Sequence, residues 1–424
     1  MIQIKNLRHG DALPEPASVA LDPEIVQGAR AIVERVRIEG DAALVDLTER
    51  FDGADVSGRI KVPFEEMESA ADALSTELRE ALDDMAERLA ELHDRQLPQQ
   101  WEEESWGVRY GEQVKAIDSA GCYVPGGRAS YPSTVLMTAI PARVAGVRRV
   151  VLCTPPAQDG SVAAPVLYAA LIAGVNDVFR VGGAHAIAAL AHGTETIGRV
   201  DKIVGPGNAW VTAAKKEVYG TAGIDSLAGP TELVIVADAS VDPATIAVDL
   251  VAQAEHDPMA RTTLVALDED LPSAVIEALE NEVAASPRRE IVEAAMEFTV
   301  IYSAEDEEEA AAISDHIAPE HLQIVTGHPR GFLAKARRYG AAFLGPLTPV
   351  SFGDYGVGSN HVLPTMANAR FSSGLRAADF VTVSSWIEVQ EGANDIVGPG
   401  VEQIASAEGL AAHAKASRIR RHPD

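Results

Sequence analysis

The chain has 424 residues, enough for two or more domains with cores of their own. Acidic side chains number 63 against 35 basic ones, a formal net charge of -28, and only 8 of the basic residues are Lys. Such a surface repels nucleic acid and anionic membranes, so neither is expected as a partner; it suits work in high salt, where screening removes the self-repulsion.

The N-terminus, MIQIKNLRHGD, has no apolar run of signal-peptide length, and no segment approaches the roughly 20 apolar residues of a membrane span, so a cytoplasmic protein is expected. PEIVQGARAIVERV, DAALVDLTERF and FEEMESAADALSTELREALDDMAERLAELH carry apolar residues at three- and four-residue spacing, which predicts helices between residues 23 and 95. The turn-rich CYVPGGRASYPS follows. Beyond it short β-branched runs alternate with helical stretches, from RRVVLCTPP through DVFRVGGAH and DKIVGPGN to AWVTAAKKEVYG. A second such series runs from ELVIVAD through TTLVALD, EFTVIY and HLQIVT to AAFLG. Alternation of this kind predicts two similar parallel-sheet α/β units, Rossmann-like but incomplete. The expected division is an arm (1–20), a helical region packing with the second α/β unit (21–122), a first unit (123–230), a second unit (231–379) and a tail (380–424). That tail reads as a strand or two and a helix, and it cannot bury much alone.

Ligands of open parallel sheets sit at the carboxyl ends of the strands. There the first unit carries TPP, GGAH at Gly182 to His185, and GPGN at Gly205 to Asn208, where glycine lets backbone approach a phosphate or simply makes a tight turn. No GxGxxG fingerprint follows any strand; the nearest run, GVGSNH at Gly356 to His361, has the wrong surroundings. Cys122 and Cys153 are too few for a disulfide framework or a thiolate zinc site. Cys122, in a Gly-rich loop, is read as a buried thiol, with a nucleophilic role as the alternative.

The helix DPATIAVDLVAQAEH ends with Gln253 and His256 on one face while Glu255 looks elsewhere. APEHLQIV adds Glu320 and His321, FGDYGVGSNHVLPT adds Asp354 and His361, and the tail adds Glu408 and His413. A Gln, two His and a carboxylate make a complete nitrogen and oxygen set for zinc. His93, His192, His316, His328 and His422 lack such company and are read as surface or core residues.

GPGNAWVTAAK, AGPTELVI, QAEHDP, APEHL, GDYGVGSNHVLPT, FSSGL and EGLAAHA, spread in this order over most of the chain, resemble the histidinol dehydrogenase family. The resemblance implies NAD-dependent oxidation of L-histidinol through the aldehyde to L-histidine, the last step of histidine biosynthesis, with one zinc per site in a homodimer of intertwined chains. Carried over by position, it makes Gln253, His256, Asp354 and His413 the zinc ligands, with His413 and Glu408 from the partner subunit. Glu320 and His321 match the catalytic pair. Thr231, His361 and Glu408 match substrate contacts, as do the metal ligands; Tyr123, His185 and Asn208 match NAD contacts. His185 departs from the Gln common in the family, so hydrogen bonding to the cofactor changes there.

Zinc with open positions can grip the imidazole and amine of histidinol. His321 is then the candidate base for alcohol oxidation, aided if a helix begins near Pro319, and Glu320 the base that activates water on the aldehyde. A thiohemiacetal on Cys122 is the alternative route. Two rivals are a zinc hydrolase acting on a small imidazole or amide substrate, and a non-catalytic binder of imidazole compounds.

Overall fold

The computed structural model describes residues 5–7, 11, 13, 21–126 and 130–421. Most of the expected arm, Gly127 to Ala129 of the turn-rich segment, and His422 lie outside the described residues. The strand β1 (Lys5–Leu7) is followed by helices α1 (Pro23–Glu39), α2 (Asp41–Asp52), α3 (Phe64–Ser69) and α4 (Thr76–Asp94). Each start has a local cause: Asp22 accepts from the Glu24 N–H ahead of Pro23, and the Ser75 hydroxyl accepts from the Leu78 N–H. That second cap, with Leu74 extended, divides the long run that periodicity reads as continuous. A hairpin of β2 (Trp101–Ser105) and β3 (Val108–Ala116) comes next.

The first α/β unit comprises β4 (Ser119–Tyr123), α5 (Pro132–Val144), β5 (Arg149–Thr154), α6 (Ala164–Ile172), β6 (Asp177–Arg180), α7 (Gly183–His192), β7 (Lys202–Val204), α8 (Ala209–Val218) and β8 (Gly223–Ile224). Its parallel sheet runs β6-β5-β4-β7-β8. The second unit comprises β9 (Glu232–Ala237), α9 (Pro243–Ala254), β10 (Arg261–Ala266), α10 (Leu271–Ala285), α11 (Arg289–Ala295), β11 (Val300–Ser303), α12 (Glu307–Ile317), β12 (His321–Val325), α13 (Pro329–Leu333), β13 (Ala341–Leu344) and α14 (Val350–Asp354). Its sheet runs β1-β11-β10-β9-β12-β13, again all parallel. Apart from β1 the two orders are the same: the unit's third strand, then second, first, fourth and fifth. Both units reverse direction between first and fourth strands, where a doubly wound sheet opens a crevice.

Two expectations are corrected here. The helical region packs on the first unit, not the second: Val33, Val36, Leu44 and Leu47 share a core with Phe179, Ile187 and Leu190, and Met67, Leu82, Met85 and Leu89 share one with Leu136, Leu152 and Tyr168. An apolar stripe requires a buried partner but does not say which one. Cys122 lies within β4, the central strand, not in a loop, so Ser119 to Cys122 belong to the first unit.

The tail holds one strand, β14 (Val381–Val389), antiparallel to β3, and two helices, α15 (Asn394–Ala407) and α16 (Ala411–Arg421). Glu402 ties these helices by ion pairs to Arg418 and Arg421. Val383, Ile387, Ile396, Ile404 and Ile419 of the tail remain exposed. No described helix is long and apolar enough to cross a membrane.

Leu89 is fully buried between α4 and the first unit. Leu89→Ala should cost about 2–5 kcal/mol in denaturant unfolding. Amide exchange should quicken first in α4, α5 and the β4–β8 sheet, while the β9–β13 sheet keeps its protection.

Candidate active site

A cavity of about 1060 Å³ lies between the two units. The first unit meets it with the carboxyl ends of its strands: Tyr123 closes β4, Pro155 follows β5, Gly183 to His185 open α7 after β6, and Pro206 to Asn208 follow β7. Backbone is packed tightly there. A Cβ on Gly182 would stand 2.6 Å from the Pro155 ring, and one on Gly205, whose φ is +119°, 2.0 Å from the Tyr123 carbonyl oxygen. Only glycine fits at either position.

The second unit meets the same cavity with its amino ends. Thr231 precedes β9, Gln253 and His256 end α9 and its following turn, and Glu320 and His321 stand at the head of β12. The carboxyl-end rule thus holds for one unit only. In the other, the crevice between β9 and β12 is bridged at its carboxyl end, where Asp238 accepts from the Gly327 N–H at 2.8 Å. Helix α9 stops at Ala254, but the His256 N–H reaches the Gln253 carbonyl at 3.3 Å, which keeps both side chains at the cavity. Glu255 does not line it. Asp354 ends α14, and the loop after it brings His361.

One hydroxyl orders this half of the site. Thr231 donates to the Glu320 carboxylate and accepts from Gln253 Nε2 at 2.5 Å; the Glu232 N–H also donates to Glu320, at 3.0 Å. Burial pushes the Glu320 carboxyl up to about 7, against the opposing effect of those two hydrogen bonds. His321 is held below the ordinary imidazole value by burial, which outweighs the opposing pull of the nearby Asp354 carboxylate. No helix begins at Pro319: the strand read from HLQIVT starts at His321, and desolvation is what keeps the ring neutral. Its Nδ1 is 3.3 Å from the Glu232 carbonyl oxygen, and its Nε2 stands 3.9 Å from Asp354 Oδ1. Both nitrogens of His361 are engaged within the chain: Nδ1–H donates to the Asp354 carbonyl at 3.0 Å and Nε2 accepts from Thr134 at 3.1 Å. Burial drives that ring down to about 4, so it is a fixed neutral strut.

On the other side the Tyr123 hydroxyl accepts from the Gly183 N–H at 3.1 Å, and the Asn208 side-chain oxygen caps α8 through the Trp210 and Val211 N–H groups. His185 is buried with Nε2 3.2 Å from the Thr48 hydroxyl, and its Nδ1 has no hydrogen-bond partner among the described residues. Phe51, Asp52, Trp210 and Arg288 also line the cavity, though the sequence did not mark them. Asp52 ends an amphipathic helix, where a carboxylate looks like ordinary surface; in the fold burial pushes it up to about 6. Arg288 is the one Lys or Arg among the described lining residues, a signal visible only once the cavity is known.

Glu408 and His413 are exposed and do not line the cavity. Among the described residues no three His, Cys, Asp or Glu side chains gather as a metal site. Of the ligand set implied by resemblance, one member is Gln253 and another is the distant His413, which leaves His256 and Asp354. Cys122 is fully buried and pushed up to about 12 by desolvation, so no reactive thiolate forms there.

The family model for histidinol dehydrogenase matches residues 18–421. The chain belongs to the histidinol dehydrogenase family. It is 48% identical over 404 residues to histidinol dehydrogenase of Methanothermobacter thermautotrophicus, covering 94% of each chain, and 46% identical over 398 residues to that of Parasynechococcus marenigrum, covering 93% and 91%. A crystal structure of histidinol dehydrogenase from Elizabethkingia anophelis superposes with a TM-score of 0.94 at 33% identity over 98% of both chains. Histidinol dehydrogenases are NAD-dependent oxidoreductases of histidine biosynthesis. Membership removes the hydrolase and the passive binder as readings of this chain.

His185 titrates far below the solution value, pushed from 6.5 to about 3 by burial. The unfolded chain therefore takes up a proton below about 6.5 that the folded chain refuses, and stability falls with pH from there toward 3, by about 1.4 kcal/mol per unit for this one group. His185→Gln should flatten that part of the profile. Urea midpoints measured from pH 7 to pH 4.5 check it, and parallel profiles for the two proteins would contradict it.

Proposed function

We propose that this chain oxidises L-histidinol to L-histidine in two steps, in the cavity between its α/β units, with NAD on the first unit and zinc and substrate on the second. The observation that carries the reading is the buried pair Glu320 and His321, facing Gln253, His256 and Asp354 across a cavity whose other wall is the glycine-rich loops.

The residues present fit zinc. With Gln253 Nε2 donating to Thr231, the carbonyl oxygen is the amide atom left to serve as a ligand. His256 and Asp354 add a nitrogen and a carboxylate, and His413 from a second copy of the chain would complete the set. When bound, zinc supplies a cation that grips the imidazole and amine nitrogens of the substrate and fixes its carbinol carbon. NAD accepts hydride in each oxidation, and Tyr123, His185 and Asn208 are its proposed contacts.

The chain's own residues move the protons. His321, neutral through burial, takes the hydroxyl proton at Nε2 as the first hydride leaves, while Nδ1 is anchored on the Glu232 carbonyl. An aldehyde has no hydroxyl hydrogen to lose, so it must first be hydrated. Glu320 takes one proton of a water whose oxygen bonds to the carbonyl carbon, and the carbonyl oxygen takes up the proton that His321 gained in the first step; the diol formed then loses a hydride and two protons to give the carboxylate. A carboxyl pushed to about 7 is matched to that exchange near neutral pH.

The shared site is supported by what the tail leaves uncovered. His413 and Glu408 are exposed, and Ile396, Ile404 and Ile419 beside them face solvent in a single chain. A homodimer would bury this surface and bring His413 and Glu408 to the partner's cavity. The net charge of -28 with 8 Lys further supports a cytoplasmic enzyme adapted to high salt.

His321→Asn should lower histidinol oxidation by about 10²–10⁴-fold, whereas Glu320→Gln should impair histidinal oxidation more than histidinol oxidation. Equal losses in both half-reactions would contradict the division of labour. Chains carrying His413→Ala, mixed and reassembled with chains carrying His321→Asn, should regain activity, because each hybrid dimer holds one intact site. Absence of recovery in proven hybrids would sink the shared site.

A further inference from the structure

The ion pair of Lys215 and Asp225 takes no part in the chemistry above, yet it is one of the most thoroughly buried charge pairs in the molecule. Lys215, near the end of α8, has a side chain 3% exposed and Asp225, just past β8, one 5% exposed, with Nζ 2.6 Å from Oδ1. Removing two charges from water is costly, and an apolar pair of similar volume would fill the space without that cost. What an apolar pair could not do is hold one residue by both its backbone polar atoms. Lys215 Nζ donates to the Gly205 carbonyl at 2.5 Å, and Asp225 Oδ2 accepts from the Gly205 N–H at 2.7 Å. Besides facing Lys215, Oδ1 accepts from the Ser226 N–H at 2.7 Å.

Gly205 is the point at which the chain leaves β7, in the crevice between first and fourth strands of the unit. It lies so close to the Tyr123 carbonyl that no side chain fits, and the next three residues, Pro206, Gly207 and Asn208, line the cavity. Helix α8 therefore supports this loop twice, through the Asn208 cap at its start and through Lys215 about two turns further along.

We propose that Lys215 and Asp225 are a positioning pair that fixes the Gly205 backbone and thereby sets the dinucleotide loop Pro206 to Asn208 against Tyr123. The pair governs cofactor affinity and leaves the zinc and histidinol half of the site untouched. This rests on the reading that NAD occupies the first-unit side of the cavity.

The test measures NAD binding to the zinc-loaded full-length protein by calorimetry, with zinc content and histidinol affinity measured on the same samples. The neutral pair Lys215→Gln with Asp225→Asn, which keeps hydrogen-bonding shape without charge, should raise the Kd for NAD roughly ten- to a hundred-fold, the size seen when groups that orient binding residues are lost. Histidinol affinity and zinc content should not change. Should that double variant fail to fold, Lys215→Arg retains the charge but replaces the slender ammonium with a broad fork, and it should raise the Kd in the same direction. Asn208→Ala is the companion control. A raised Kd in Asn208→Ala with an unchanged Kd in the pair variants, whatever their melting temperatures, would overturn the proposal alone. An unchanged Kd in all of them would overturn the cofactor reading and the proposal together.

Discussion

A carboxylate buried beside an imidazole, without a basic residue to neutralise it, must be held by hydrogen bonds or it will not stay charged. Glu320 is held by two donors at the head of a neighbouring strand, the Thr231 hydroxyl and the Glu232 N–H, which offset part of the burial and leave the carboxyl at about 7. The rest of the catalytic half depends on that arrangement. The same Thr231 hydroxyl turns the Gln253 amide, the Glu232 carbonyl receives the His321 ring, and the pairing of β9 with β12 sets His321 opposite Leu233. Position is thus fixed by backbone register, which side-chain motion cannot undo.

The duplicated architecture explains how two half-sites face one another. Both units have the same strand order, but the first offers carboxyl ends and the second amino ends. The first unit keeps an open crevice whose loops are thinned to glycine at Gly182 and Gly205. In the second, Asp238 and Gly327 bridge the equivalent crevice, and the residues that line the cavity stand at the opposite edge. In the proposed reading, dinucleotide binding and proton transfer are built on separate sheets and meet only in the cavity.

Much of this was legible in the sequence for a physical reason: strands buried on both faces must be apolar throughout, so RVVLCT, ELVIVA and HLQIV announce a parallel sheet. Gln253, His256, Glu320, His321, Asp354 and His361, with Tyr123, His185 and Asn208 opposite, do line one cavity. What was not legible depends on partners remote in sequence. The stripe of Ala29, Val33 and Val36 marks a buried face without naming what covers it. SAGCY, lacking β-branched residues, reads as a loop although it is the centre of a sheet. The His361 imidazole looks available until Thr134 and the Asp354 carbonyl are seen on its two nitrogens. Asp52 becomes unusual only when its surroundings exclude water.

The most direct test of the account is the number of NADH molecules formed per L-histidinol by purified protein in high salt, before chelation, after it, and after zinc is restored. The account predicts two NADH per histidinol, lost with the chelator and regained with zinc. Turnover undiminished by proven removal of the metal, or one NADH with the aldehyde released, would contradict it.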